Sequence, residues 1–412
     1  MTTDSSLREE PQLTIRPKPS AFFLRRRFLR TFGPALALAV TGLIALLMSG
    51  TIVVPFQQTL VLRGKMGSKS DLFEDAKIQE ILMRHHIRVH VTRAGSRDVA
   101  THDLSQYDFV FMSGEPAASL VRRSRADQWT GSARQPFTSP IVLATYRRYA
   151  ETLASNQIAT KPAGEQEPLY YTLDTEKFIE TLRKGQTWDS LGIRRFGAEN
   201  GNRVLAQTSN ICDSNSGATY LILLAFLENG RQVPVVDPRP AGAPAGPPNL
   251  TAAKELANRV KPLVAAQGFP SADLSESYAN LAEGDKPIVV IYEHQYLAMQ
   301  LRAKAQSGRP DHDRVLLYPK DDILTKPQFL ALKPEAERLG ELITFDPELQ
   351  RRAMELGFGV ATPAGSTKSA RLYEFLREQG LPAPEIAADD STTPLPDNPV
   401  LEEMIKTVGD CP

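Results

Sequence analysis

Beyond residue 56 the hydrophobic pattern switches repeatedly between a strand period and a helix period. Gln58–Arg63 (QTLVLR) reads as a short strand, and the loop Gly64–Asp71 (GKMGSKSD) follows it. Leu72–His85 then places Phe73, Ile78, Ile81 and Leu82 near helical spacing. Ile87–Thr92 alternates Ile, Val and Val with Arg and His, as a half-buried strand does. Tyr107–Met112 (YDFVFM) is a third strand ending in Ser113-Gly114, and Glu115–Arg123 is the helix after it. This βαβαβ order predicts a parallel sheet. Ligands of such sheets bind beyond the carboxyl ends of the strands. Three polar strand ends would meet there: Ser68/Ser70, Ala94-Gly95-Ser96 and Ser113-Gly114.

Pro136–Tyr146 (PFTSPIVLATY) is a strand that leaves this sheet, and a helix is expected over Asp174–Lys184 with Asp174 or Thr175 as its cap. Arg203–Thr208 is a strand leading into Gln207–Glu228, where a polar loop of small residues runs straight into an apolar helix. Ser214 or Ser216 is placed to be the N-cap. The first turn of a helix carries backbone N–H groups without intrahelical partners and a partial positive charge. Hydroxyls and Gly217 let a ligand oxygen approach that backbone, whereas Asp213 opposes a free anion unless its carboxylate turns away or caps the helix. Pro234–Pro248 is a Pro/Gly/Ala-rich surface excursion. Leu250–Gln267 is helical with a kink at Pro262. Pro287–Tyr292 is a buried strand, Val315–Tyr318 and Phe329–Leu332 are strands, and Pro334–Thr344, Pro347–Leu356, Ser369–Gln379 and Asn398–Val408 are helices.

The net charge of zero hides an asymmetry. Residues 1–30 hold seven Lys/Arg against three Asp/Glu, a net of +4, so the remainder carries −4. An acidic body argues against nucleic-acid binding. Residues 1–33 read as a disordered, basic cytoplasmic tail. Arg25, Arg26, Arg27 and Arg30 precede a segment without charge from Thr31 to Leu62, whose apolar part, 34–54, has the length of a bilayer-spanning helix. The basic flank sets the N-terminus in the cytoplasm. A cleaved signal peptide is the alternative; the long apolar run and the long polar leader favour an uncleaved anchor. On that topology Cys212 and Cys411 face an oxidising compartment, where a bridge between them can form.

No metal-ligand spacing appears, no cofactor motif is present, and no nucleophile–base set can be assembled, so the chain reads as a non-enzyme. His85-His86 leave a helix about 100° apart and read as surface residues. Tyr292 can donate its hydroxyl to an oxyanion while its ring packs on a cleft wall. Glu293 reads either as a ligand acid or as an acceptor of backbone N–H groups, and Lys65, Lys69 and Arg97 could supply countercharge.

An ordered set of segments carries a family resemblance: GSKSDLFED, SQYDFVFMSG, DSNSGATYLILLAFL, IVVIYEHQYL, VLLYPKDDILTKPQFLAL and LGELITFDPELQRRAMELGFG. Over about residues 57–380 the chain resembles the type 2 periplasmic-binding-protein fold of extracellular solute-binding proteins. It stands nearest the group that includes the molybdate/tungstate-, sulfate- and phosphate-type proteins. The resemblance implies an α/β fold of two lobes joined by two crossover strands: 57–138 and 314–412 for the first lobe, 139–313 for the second. The crossings would lie in Pro136–Tyr146 and Leu317–Leu332. It places the ligand at Ser68, Ser70, Ser113, Ser214, Asn215, Ser216, Gly217 and Tyr292. The expected partners are a small polar solute, an oxyanion above all, the bilayer through 34–54, and a membrane permease or sensor. A ligand-free interaction module of the cell envelope is the alternative.

Overall fold

Two five-stranded sheets frame the body of the protein. The computed structural model describes residues 32–42, 58–125, 131–238, 246–266, 268–269, 274–275, 278, 286–321, 325–360, 370–384 and 394–411. The chain divides into two units, Met1–Gln58 and Thr59–Pro412.

In the N-terminal unit, residues 32–42 form a helix whose side chains are nearly all exposed. Among the described residues no helix is long and apolar enough to cross a membrane. Residues 43–54 of the expected span, and all but two of the expected tail 1–33, lie outside the described residues.

In the second unit the first sheet is built from β1 (Leu60–Met66), β2 (Ile87–Arg93), β3 (Phe109–Met112), β4 (Ala133–Arg134) and β11 (Gln328–Ala331), in the order β2-β1-β3-β11-β4. β1 runs parallel to both β2 and β3, as the βαβαβ pattern predicts, while β11 returns antiparallel to β3. The single helix expected between β1 and β2 is two, Ser70–Glu74 and Ala76–Arg84. Asp75 causes the break: its carboxylate accepts from the Lys77 and Ile78 N–H groups and starts a second helix. Phenylalanines close the core beneath the sheet, with the Phe109 and Phe329 rings stacked at 4.9 Å.

The second sheet has the order β7-β8-β10-β6-β9, with β6 at Ile141–Tyr146, β7 at Ala159–Thr160, β8 at Tyr170–Leu173, β9 at Ile288–Tyr292 and β10 at Arg314–Pro319. Its strands β6 and β9 are wholly buried, consistent with their apolar sequences IVLATY and IVVIY. β10 pairs with β8 and β6, so the return to the first sheet falls between residues 319 and 328 and not at 314. The strand expected over Arg203–Thr208 reduces to isolated bridges at Arg203 and Gln207.

Two segments pass between the sheets and lie side by side. One runs through β5 (Phe137–Thr138), which pairs with β12 (Gly359–Val360) in a small third sheet. Between them, the Ser139 N–H donates to the Thr325 carbonyl at 3.1 Å, and the Thr325 hydroxyl donates back to the Ser139 carbonyl. His294 is tied to the same point through its Nδ1, 3.0 Å from the Ser139 Oγ. Burial first, and then the charge of Lys69, hold this histidine well below its ordinary pKa, so it stays neutral.

The Asn215–Glu228 helix is buried from Gly217 through Ala225 on all sides, which its nearly unbroken apolar sequence requires. The Asn398–Gly409 helix packs against it and against Thr251–Val264, and Cys411 just beyond is in a disulfide with Cys212.

Candidate ligand-binding site

A cavity of about 570 Å³ opens where the strand ends of the two sheets meet, and seven serines are in its wall: 68, 70, 96, 113, 209, 214 and 216. The first sheet supplies four of them from the loops after β1, β2 and β3, the arrangement a parallel sheet imposes. Ser113 joins these loops, its Oγ standing 2.8 Å from that of Ser96 and 3.1 Å from that of Ser68.

The second sheet supplies the opposite wall. Gln207 pairs in parallel with Val289, the Val290 N–H donating to its carbonyl at 2.8 Å. The chain after Gln207 and the end of β9 therefore emerge at the same edge, placing the 209–216 loop beside Tyr292. The hydroxyls of Ser209, Ser214 and Ser216 form a triangle with sides of 2.7, 3.0 and 2.8 Å. Ser214 is the N-cap, accepting from the Gly217 N–H at 3.3 Å. Asp213 neither caps nor stands free: its carboxylate accepts from Asn210 Nδ2 at 2.8 Å.

Asn215 is 2 % exposed and sits on the cavity wall at the first position of the helix. Its Nδ2 donates to the Tyr292 hydroxyl at 3.1 Å and to Thr219 Oγ1 at 3.3 Å. Its Oδ1 is buried and has no hydrogen-bond partner among the described residues. A buried amide oxygen without a partner costs free energy, and as an acceptor it can be satisfied only by an N–H or O–H donor.

The cavity wall contains Ser68, Ser70, Ser113, Ser214, Asn215, Ser216 and Tyr292 of the expected set. Gly217 is not there: its N–H is taken by Ser214, and a Cβ on it would lie 2.6 Å from the Ser209 carbonyl oxygen. Its role is to let the loop pack on the helix's first turn. Glu293 is also off the wall, wholly buried and accepting from the Tyr318 and Tyr373 hydroxyls at 2.7 and 3.0 Å. Of the expected countercharges, Lys69 is 0 % exposed with its Nζ 3.7 Å from the centre of the Tyr292 ring, a cation–π contact made from behind the wall. Lys65 lies over the Tyr107 ring, and Arg97 is engaged at the cavity's edge. Arg93, Asp98, Asn210 and Gln295 are wall residues that sequence reasoning did not assign. Arg93 and Asp98 flank the Ala94-Gly95-Ser96 strand end, which was the available signal.

No protein-family model and no curated protein matches the sequence. Similar solved structures include the sulfate-binding protein SubI from Mycobacterium tuberculosis H37Rv, with a TM-score of 0.46, 15 % identity and coverage of 79 % of this chain and 92 % of that one. Iron-bound HitA from Pseudomonas aeruginosa has a TM-score of 0.45 at 11 % identity, covering 85 % and 97 % of the two chains. The substrate-binding protein of an ABC transporter from Agrobacterium tumefaciens has 0.44 at 13 %, covering 86 % and 97 %. These scores lie below 0.5, and the functional reading rests on strand order and site geometry. Two sheets, crossed once in each direction with a cavity at their strand ends, are the arrangement that the resemblance to type 2 periplasmic-binding proteins implied.

Proposed function

We propose that the protein is an extracytoplasmic solute-binding protein. Its two lobes, one around each five-stranded sheet, close on a small polar ligand in the serine-lined cavity. The observation that carries this is the cavity between the two sheets, with seven serines and the first turn of the Asn215–Glu228 helix in its wall. An oxyanion is the favoured ligand. The 14-residue Asn215–Glu228 helix presents its positive end there, and the wall hydroxyls can act as donors to a small anion. Ser68, Ser70 and Ser113 would hold it from one lobe, and Ser214, Asn215, Ser216 and Tyr292 from the other. Contacts to both lobes favour the closed state over the open one. The side-by-side crossings at Ser139 and Thr325 are the hinge of this account.

The charge-free segment 34–54 behind its arginine cluster supports a single membrane tether with the body outside the cytoplasm. A tethered binding protein would present its closed form to a permease or a sensor in the same membrane. A thermal-shift panel of molybdate, tungstate, sulfate, phosphate, amino acids, polyamines and sugars tests the reading. The expected result is a saturable rise in Tm of several degrees for the oxyanion class, as mass action requires of a ligand held well above its Kd. A cooperative melt that no member of the panel moves would point instead to a ligand-free interaction module.

A further inference from the structure

The C-terminal helix reaches both sides of the cavity. On the side of the second sheet, Cys411 is bonded to Cys212, and Lys261 Nζ donates to Asp410 Oδ1 at 2.6 Å and to the Thr407 carbonyl at 3.1 Å. On the side of the first sheet, Glu402 accepts from Arg97 Nη2 at 2.6 Å, and Asn398 Oδ1 accepts from the Ser119 hydroxyl at 3.0 Å. Cys212 lies between Asn210 and Asp213, both in the cavity wall, so the disulfide grips the ligand loop itself.

Arg97 links these contacts. It follows β2, is 6 % exposed, and meets the ligand loop at two points besides Glu402. Its backbone N–H donates to the Asp213 carbonyl at 2.9 Å, and its Nε donates to the Cys212 carbonyl at 3.3 Å. The neighbouring Gly95 leaves no slack, since a Cβ there would sit 2.6 Å from the Asp213 carbonyl oxygen. One edge of the cavity is therefore tied by a backbone hydrogen bond, a side-chain hydrogen bond, an ion pair and a covalent bond.

We infer that the C-terminal helix is a latch for the ligand loop, with Arg97, Glu402 and the Cys212–Cys411 bridge as positioning residues. The latch holds 209–216 against the first sheet before any ligand is present, so the serine triangle and Asn215 are pre-organised. Lobe motion is then confined to the opposite edge. A loop that is already ordered loses less freedom on binding, which strengthens binding without adding a contact. The consequence for affinity rests on the ligand-site reading; the latch itself does not.

Amide hydrogen exchange on the full-length protein in detergent, with no ligand added, tests it. Glu402→Gln breaks the ion pair and leaves the disulfide intact; the paired substitution Cys212→Ser/Cys411→Ser removes the covalent bond. The expected result is slow exchange over 209–217 in the wild type and at least about tenfold faster exchange there in each variant, with the β1–β3 core unchanged. Exchange over 209–217 equal to wild type in both variants overturns the proposal. If the double variant does not fold, Glu402→Gln decides alone. Repeating the exchange with saturating molybdate or sulfate separates the two readings. Loosened variants that no oxyanion protects leave the latch standing and remove the ligand assignment.

Discussion

Replacing Asn215 by Asp changes one group in the cavity wall and almost none of its shape. The new carboxylate would face the cavity from the first turn of a 14-residue helix. An oxyanion seated among the wall hydroxyls would stand roughly 5 Å away, where like unit charges at an effective dielectric of about 20 repel by about 3 kcal/mol. That is about a 200-fold loss of affinity per unit of ligand charge, and more for a dianion. The ligand-free protein should survive the change. It loses the donors to Tyr292 and Thr219, at about 1 kcal/mol each, and gains up to about 1 kcal/mol from a negative charge at a helix N-terminus. Calorimetric titration at pH 8, where the new acid is ionised, measures the affinity; urea unfolding of the same sample measures the stability. Oxyanion affinity within threefold of wild type in a folded variant would refute the reasoning.

Tyr292→Phe removes the hydroxyl that Asn215 engages and should weaken the ligand by about 1–2 kcal/mol with little effect on the melt, read by the same titration. The Cys212→Ser/Cys411→Ser pair opens a bridge spanning 199 positions, for which loop entropy predicts a stability loss of about 2–5 kcal/mol; a urea midpoint that does not move contradicts this. His294 is kept neutral in the fold by burial and by Lys69, while the unfolded chain takes up its proton below about pH 6.5. Stability should therefore fall as pH drops below that value, by up to about 1.4 kcal/mol per pH unit, and His294→Phe should flatten the slope relative to wild type. Asp75 behaves as an ordinary acid sensor: burial pushes its carboxyl up, but the Arg352 guanidinium and the Ile78 and Lys77 N–H groups outweigh that and hold it below its usual value. Its stabilisation is present above the ordinary aspartate range and lost as pH falls through the lowered one, so Asp75→Asn should remove acid sensitivity below about pH 4 in unfolding curves.

The parts of the site legible in the sequence are those fixed by short-range pattern. A βαβαβ order with Ser or Gly at each strand end brings Ser68, Ser96 and Ser113 together, because parallel strands release their carboxyl ends on one side. A polar run ahead of LILLAFL marks Ser214 as a cap, because an apolar helix needs its first N–H groups satisfied. What escaped depends on distant partners. β7 and β8 are two and four residues long and exist through pairing with each other and with β10. β10 belongs to the second sheet because both β6 and β8 accept it, which no local pattern records. Lys69 looks like a solvated loop lysine and is instead enclosed beneath the Tyr292 ring. Gly217 reads as a ligand-facing glycine, but the path of Ser209 and Ile211 across the helix start takes up the space beside it.

The central claim is that the serine-lined cavity binds a small oxyanion. Isothermal titration of the full-length protein in detergent with molybdate, tungstate, sulfate and phosphate addresses it most directly, run beside Asn215→Asp. The expected result is saturable binding of at least one of these anions at one per chain, abolished in the variant. Absence of binding heat for all four, with amino acids, polyamines and sugars equally silent and the protein melting cooperatively, would contradict it.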